Sequence, residues 1–213
     1  MSLKIDMHTH IMPKVVPDWS AQFGYGSFIH LDHHRPGFAR MMMGDKFFRE
    51  IESNCWDAQI RIEEYAKYKT QVQVVCTIPV LFAYWAQPKD GLTVARYLND
   101  HIADIVHRHP KHYVGLGTLP LQDIDLSIAE LERCKSMGMK GIQIGSNVNH
   151  QNLGEPIFEP LWQAIQDMDL AVLVHPWEMM GQDEMKKYWL AWLVGMPAET
   201  ARAMCSLIFS GVL

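Results

Sequence analysis

The sequence predicts an α/β fold built on a parallel sheet. Short β-branched or apolar runs alternate with amphipathic helical patterns, so each strand is followed by a helix that carries the chain back. The third, fourth and fifth runs start about 28 to 30 residues apart, the length of a βα repeat. Together they describe five βα units within a chain of 213 residues.

The strand candidates come in order. Residues 3–7 read LKIDM and end at His8. Residues 72–77 read VQVVCT and stop at Ile78-Pro79. Residues 113–116 lead into Gly117-Thr118-Leu119-Pro120, 141–144 (GIQI) stop at Gly145, and 170–174 (LAVLV) stop at His175-Pro176. Runs that are apolar on both faces and ended by Gly or Pro are expected to be buried parallel strands. Gly115-Leu116-Gly117 lacks the third glycine of a dinucleotide fingerprint and reads as a tight βα turn.

Helical patterns fill the gaps. Residues 57–69 place Ile60, Ile62, Tyr65 and Tyr68 on a helical period, and 90–107 place Leu92, Ala95, Leu98, Ile102 and Ile105 on one face. Residues 125–137 repeat the pattern with Leu126, Ile128, Leu131 and Cys134, and 159–166 follow. Two segments break the rhythm. Residues 12–56, rich in Gly, His, Met and aromatics, are too long for a βα loop and read as a small insertion with a β-hairpin. It is expected beside the C-terminal mouth of the sheet. Residues 177–197 follow the fifth strand on the same side.

Composition excludes several function classes. Apolar residues make up 48% and charged residues 20%, so the chain has the makings of a core. Nineteen basic against 24 acidic residues leave a net charge of −5, which offers no basic surface for nucleic acid or an anionic membrane. The four cysteines are widely spaced without a CxxC pair and read as reduced thiols of a cytoplasmic protein. The start MSLKIDMHTH is too polar for a signal peptide, and the longest apolar stretch, 188–197, is about half a bilayer span.

The chemistry gathers on histidine. His8 and His10 are two apart on a strand, so both rings face one way. His175 ends the fifth strand. In a barrel of βα units, these strand ends open into one mouth, where three neutral imidazoles suit a divalent ion such as zinc. His101, His107, His109 and His112 lie on or just past a helix, where the dipole suits them. His30, His33 and His34 cluster in the insertion as loop residues, with a second metal site as the alternative.

Several segments carry a family resemblance: KIDMHTHIMPK, FGYG, His33-His34, Phe48-Arg49, NCWD at 54–57, VGLGTLPLQ at 114–122, GIQIG at 141–145, LVHPWEM at 173–179 and KYWLAWLVGMPAET at 187–200. With these the chain resembles the amidohydrolase-related family of metal-dependent decarboxylases. The resemblance implies a (β/α)8 TIM barrel with one Zn2+, of which residues 1–213 form about five of eight units, a partial barrel domain. His8, His10 and His175 match the family's three histidine ligands. The family's fourth ligand, an Asp, and its general acid/base His have no counterpart up to Leu213, so no catalytic residue is assigned. Arg49 matches the family's substrate-carboxylate arginine, a planar fork suited to a dicarboxylate. The alternative for Arg49 is an ion pair with Glu50 or Glu52. Trp192 matches an active-site tryptophan, and Trp177 flanks His175. Packing is the alternative for both, and for Trp189. Met179 and Met180 offer adaptable apolar contact or core filling.

The implied reaction is non-oxidative decarboxylation of a dicarboxylate semialdehyde. A zinc-bound water with its pKa lowered towards ~7 adds to the conjugated skeleton, and carbon dioxide leaves without an organic cofactor. The dinuclear hydrolases of the superfamily use a strand-4 lysine to bridge two metals. Lys140 precedes GIQIG rather than ending it, which predicts a single metal. A mononuclear hydrolase, acting for example on a lactone, and an inactive truncated product are the alternatives. The resemblance also implies a homodimer.

Overall fold

The computed structural model describes residues 3–213. Strand β1 (Ile5–His10) is followed by helix α1 (Trp19–Phe23) and three strands, β2 (Ile29–Arg35), β3 (Phe38–Met43) and β4 (Lys46–Glu52). Then come α2 (Ala58–Lys67), β5 (Val72–Cys76), α3 (Pro88–Arg108), β6 (Tyr113–Gly117), α4 (Ile124–Ser136) and β7 (Gly141–Gly145). A short hairpin of β8 (Asn147–Val148) and β9 (Gln151–Asn152) precedes α5 (Glu159–Asp167), β10 (Ala171–His175) and α6 (Met196–Ser210).

Five strands pair in parallel in the order β1-β5-β6-β7-β10. Each βα unit lays its strand beside the last, as the alternation predicts. The helices cover one face. Ile142 and Ile144 of β7 bury against Leu131 of α4 and Leu161 and Ile165 of α5. Val75 of β5 joins Ile102 and Ile105 of α3 and Cys134 of α4. The opposite face carries a small cluster of Val74, Cys76 and Leu116. The sheet is strongly curled. Four interstrand spacings would separate the outer strands of a flat sheet by roughly 19 Å. Instead the rings of His10 on β1 and His175 on β10 have centroids 5.3 Å apart. The architecture is α/β of the TIM-barrel type.

Three expectations need correction. The outer strands are not buried on both faces: Ile5 and Met7 of β1 are 44% and 64% exposed, whereas β7 is buried throughout. An outer strand has a neighbour on one side only. Gly115 and Gly117 are not a turn but the end of β6. A Cβ on Gly117 would lie 2.6 Å from Cys134 Sγ, so the glycine lets α4 approach the sheet. Finally, α2 does not bury Ile60, Ile62, Tyr65 and Tyr68. Its buried residues are Ala58 and Arg61, and Tyr68 is exposed. The helix docks mainly through Ala58 and Arg61, with Ile62 partly buried against the core, and not through a fully buried apolar stripe.

The 12–56 insertion is larger than a hairpin. It holds α1 and a three-stranded antiparallel sheet in the order β2-β3-β4. Trp19, Phe28, Ile29, Ala39, Met41, Ile51 and Trp56 bury together with Leu81, Val94 and Leu98, just past β5 and on α3. The third strand escapes a sequence reading because in KFFREIE only Ile51 is buried. In the 177–197 segment a π-helical turn at Ala191–Gly195 runs straight into α6. All four cysteines are free. No described helix is long and apolar enough to cross a membrane.

Candidate metal centre

The curl brings three imidazoles together. Ring centroids lie 4.7 Å apart for His8 and His10, 5.2 Å for His8 and His175, and 5.3 Å for His10 and His175. His10 Nδ1 donates to the Thr77 carbonyl at 2.9 Å, and His175 Nδ1 to the Pro176 carbonyl at 2.8 Å. Those bonds set the tautomer and leave each Nε2 with a free lone pair. Burial, with His175 and His8 close by, pulls the His10 pKa down to about 4. Burial also lowers that of His175. Both rings are therefore neutral donors at pH 7. Two neutral imidazoles with committed Nδ1 atoms, and the His8 ring beside them, fit a divalent ion.

Cys76, noted in the sequence only as a reduced thiol, sits behind this cluster. Its Sγ lies 3.5 Å from His10 Nδ1 and donates to the Thr9 carbonyl at 3.3 Å. Burial pushes its pKa up to about 12, so it stays a thiol. Ligand atoms of His8, His10 and Cys76 lie within 4.8 Å of one another, and the thiol is on the Nδ1 edge of His10.

Two buried charged residues hold the surroundings, and neither was anticipated. Arg61 donates to the carbonyls of His10 and Asn54 and to Gln73 Oε1. Glu199, fully buried in α6, accepts from Met180 N at 2.8 Å, Ser146 Oγ at 2.9 Å and Arg202 at 2.6 Å. Asn147 Nδ2 donates to the Trp177 carbonyl at 2.7 Å, and Trp177 N to Ser146 Oγ at 3.0 Å. The network thus fixes the chain just after His175. Burial alone would raise the Glu199 pKa, but the donors from Met180, Arg202 and Ser146 outweigh it and hold the carboxyl below its usual range.

The remaining expected residues scatter. Arg49 is exposed on β4, opposite Met41, with its guanidinium 5.8 Å from the Phe48 ring. Among the described residues it forms no ion pair. Glu50 bonds Arg35 at 2.8 Å and His34 at 3.0 Å instead. Trp177 packs edge-on against Phe82 at 5.5 Å in the largest core cluster. Trp192 is 49% exposed and meets Trp189 at 4.9 Å. No hydrogen bond, ion pair or ring contact among the described residues ties Arg49 or Trp192 to the imidazoles. His33 spends Nε2 on the Lys14 carbonyl and sets its ring on Trp56. With His34 bonded to Glu50, the insertion histidines form no ligand cluster among the described residues.

The chain is similar to several known proteins. The chain is 54% identical over 212 residues to a 2-amino-3-carboxymuconate-6-semialdehyde decarboxylase of Dictyostelium discoideum, covering 99% of this chain and 59% of the relative. It is 34% identical to the Caenorhabditis elegans protein of that name, covering 100% of this chain and 65% of the relative. The chain thus spans about three fifths of the length of these relatives. The fold matches a dihydroxybenzoic acid decarboxylase from Polaromonas, solved with bound manganese and 2-nitroresorcinol. The TM-score is 0.73 at 21% identity, over 100% of this chain and 62% of that one. The amidohydrolase family model matches residues 5–213. Since that match takes in both histidine-bearing strands and everything between them, the chain belongs to the amidohydrolase family.

Proposed function

We propose that this chain supplies the zinc-binding part of a non-oxidative decarboxylase acting on 2-amino-3-carboxymuconate 6-semialdehyde. One observation carries the reading: His8, His10 and His175, from opposite edges of a curled sheet, stand within 4.7–5.3 Å of one another. The 54% identical relative bears the name of that activity, and the manganese in the Polaromonas structure supports a divalent ion for the fold. A bound zinc ion supplies Lewis acidity and a water of lowered pKa at this place.

The chain's own residues do the rest. His8, His10 and His175 hold the ion through ring nitrogens. Arg49, free of an ion pair, takes a substrate carboxylate through its planar fork. Trp192 covers the conjugated skeleton with its exposed ring, whereas Trp177 braces the loop after His175. In the reaction the bond to the carboxylate breaks, its electron pair enters the conjugated system, and a proton replaces carbon dioxide. No redox cofactor is needed for that balance. Among the described residues, none is assigned to the proton transfer. In this reading, further units of a (β/α)8 barrel supply it, as the greater length of the relatives suggests. Residues 1–213 then form one partial barrel domain with 12–56 inserted, in a cytoplasmic homodimer.

The test compares this chain with a form extended to the relatives' length. Carbon dioxide release, lost on chelation and restored by zinc, is expected from the extended form and not from the chain alone. Lactone opening without carbon dioxide release by the extended form would overturn the reading in favour of a mononuclear hydrolase.

A further inference from the structure

Arg61 is 7% exposed and has no carboxylate partner among the described residues. Its fork meets only neutral acceptors. Nη1 donates to the carbonyls of His10 and Asn54, both at 3.0 Å. Nε and Nη2 donate to Gln73 Oε1 at 3.2 and 3.1 Å. Burying a cation without a counter-charge is costly, and an apolar side chain of similar length would avoid the cost. The acceptors indicate what the cation does there. The His10 carbonyl belongs to a residue whose ring stands in the imidazole cluster. The Asn54 carbonyl belongs to the 3-10 turn Ser53–Cys55, which leads directly out of β4, the strand that carries Arg49. A second bond crosses the same seam, from Met12 N to the Cys55 carbonyl at 3.0 Å.

We propose that Arg61 is a positioning residue that locks the histidine strand to the turn leaving the small sheet. The imidazoles of β1 and the guanidinium of Arg49 thereby keep one relative placement. This rests on the reading that the three histidines hold a metal ion, but the lock itself is a property of the backbone and can be measured apart from it. A lysine keeps the charge and loses the fork, because one ammonium cannot reach His10, Asn54 and Gln73 together.

The test uses the full 213-residue chain with the variants R61K and R61M. Amide hydrogen exchange reads the lock, and Co2+ binding under chelator competition reads its effect on the histidines. R61K should melt cooperatively yet exchange faster at both residues 10–12 and 53–57. It should weaken Co2+ binding about tenfold or more, in line with other residues that orient metal ligands. R61M should show the same signs more strongly, and if it does not fold, R61K decides. Faster exchange confined to α2, or an unchanged Co2+ affinity in folded R61K, would overturn the proposal. A wild-type chain that binds no Co2+ would overturn the metal reading instead, and the exchange at the two segments would then decide the lock alone.

Discussion

The two outer strands of the sheet solve one problem with opposite charges. β1 brings two histidines, and the backbone behind His10 is held by a buried cation, Arg61, whose acceptors are all neutral. β10 brings one histidine, and the chain after it is held by a buried anion, Glu199, whose donors include a cation, Arg202. Both strands are poorly covered along their length, yet both are pinned where the histidines sit. A ligand needs its backbone fixed more than its strand buried. The difference lies in compensation. Glu199 is balanced by Arg202, whereas Arg61 meets only neutral acceptors and no carboxylate among the described residues.

The comparison can be broken by substitution. The largest expected effect is at Glu199→Ala, which strands donors from Met180, Ser146 and Arg202 and should cost about 3–5 kcal/mol in urea unfolding. Glu199→Gln, which keeps the acceptor to Met180, should cost less. A loss below about 1 kcal/mol for the alanine variant would mean that Glu199 is not an anchor. Next comes Trp177→Ala, expected to cost about 3 kcal/mol by opening a cavity beside Phe82 and Tyr84.

Acid sharpens the β1 end. His10 and His101 both have pKa values pulled down to about 4 by burial. The unfolded chain therefore binds protons that the native chain refuses between pH 6.5 and about 4. Stability should be level above pH 6.5 and fall as pH drops through that window. Thermal melts of the metal-free chain at pH 7.5 and pH 5 test this, and a His10→Gln, His101→Gln double variant should flatten the slope. Equal slopes in the two proteins would assign the acid sensitivity elsewhere. The smallest effect is expected at Trp192→Ala, within about 0.5 kcal/mol of wild type, because the ring is half exposed. A large loss there would make Trp192 a core residue and remove it from the substrate reading.

The parallel sheet was legible because its signals are local. Short runs rich in valine or isoleucine and ended by Gly or Pro marked β5, β7 and β10 to within a residue or two, and the i, i+2 histidines need only the pleat of a strand. The small sheet was under-read because its third strand buries a single side chain. Arg61 and Glu199 were invisible for a different reason. A charge on an amphipathic helix reads as a solvent face, and both are buried only because partners 51 and 53 residues away in sequence meet them. Arg49 and Trp192 came from resemblance alone, and the structure leaves both exposed. Cys76 was read only as a reduced thiol, whereas its sulfur approaches a ring nitrogen of His10 to 3.5 Å.

That sulfur makes the central claim measurable. X-ray absorption at the zinc edge of the loaded chain reports the donor atoms directly. Three imidazoles predict a nitrogen or oxygen shell at about 2.0–2.1 Å with imidazole outer scattering and no sulfur. A sulfur shell at about 2.3 Å, lost in Cys76→Ser, would contradict the account and put the ion on the other side of His10.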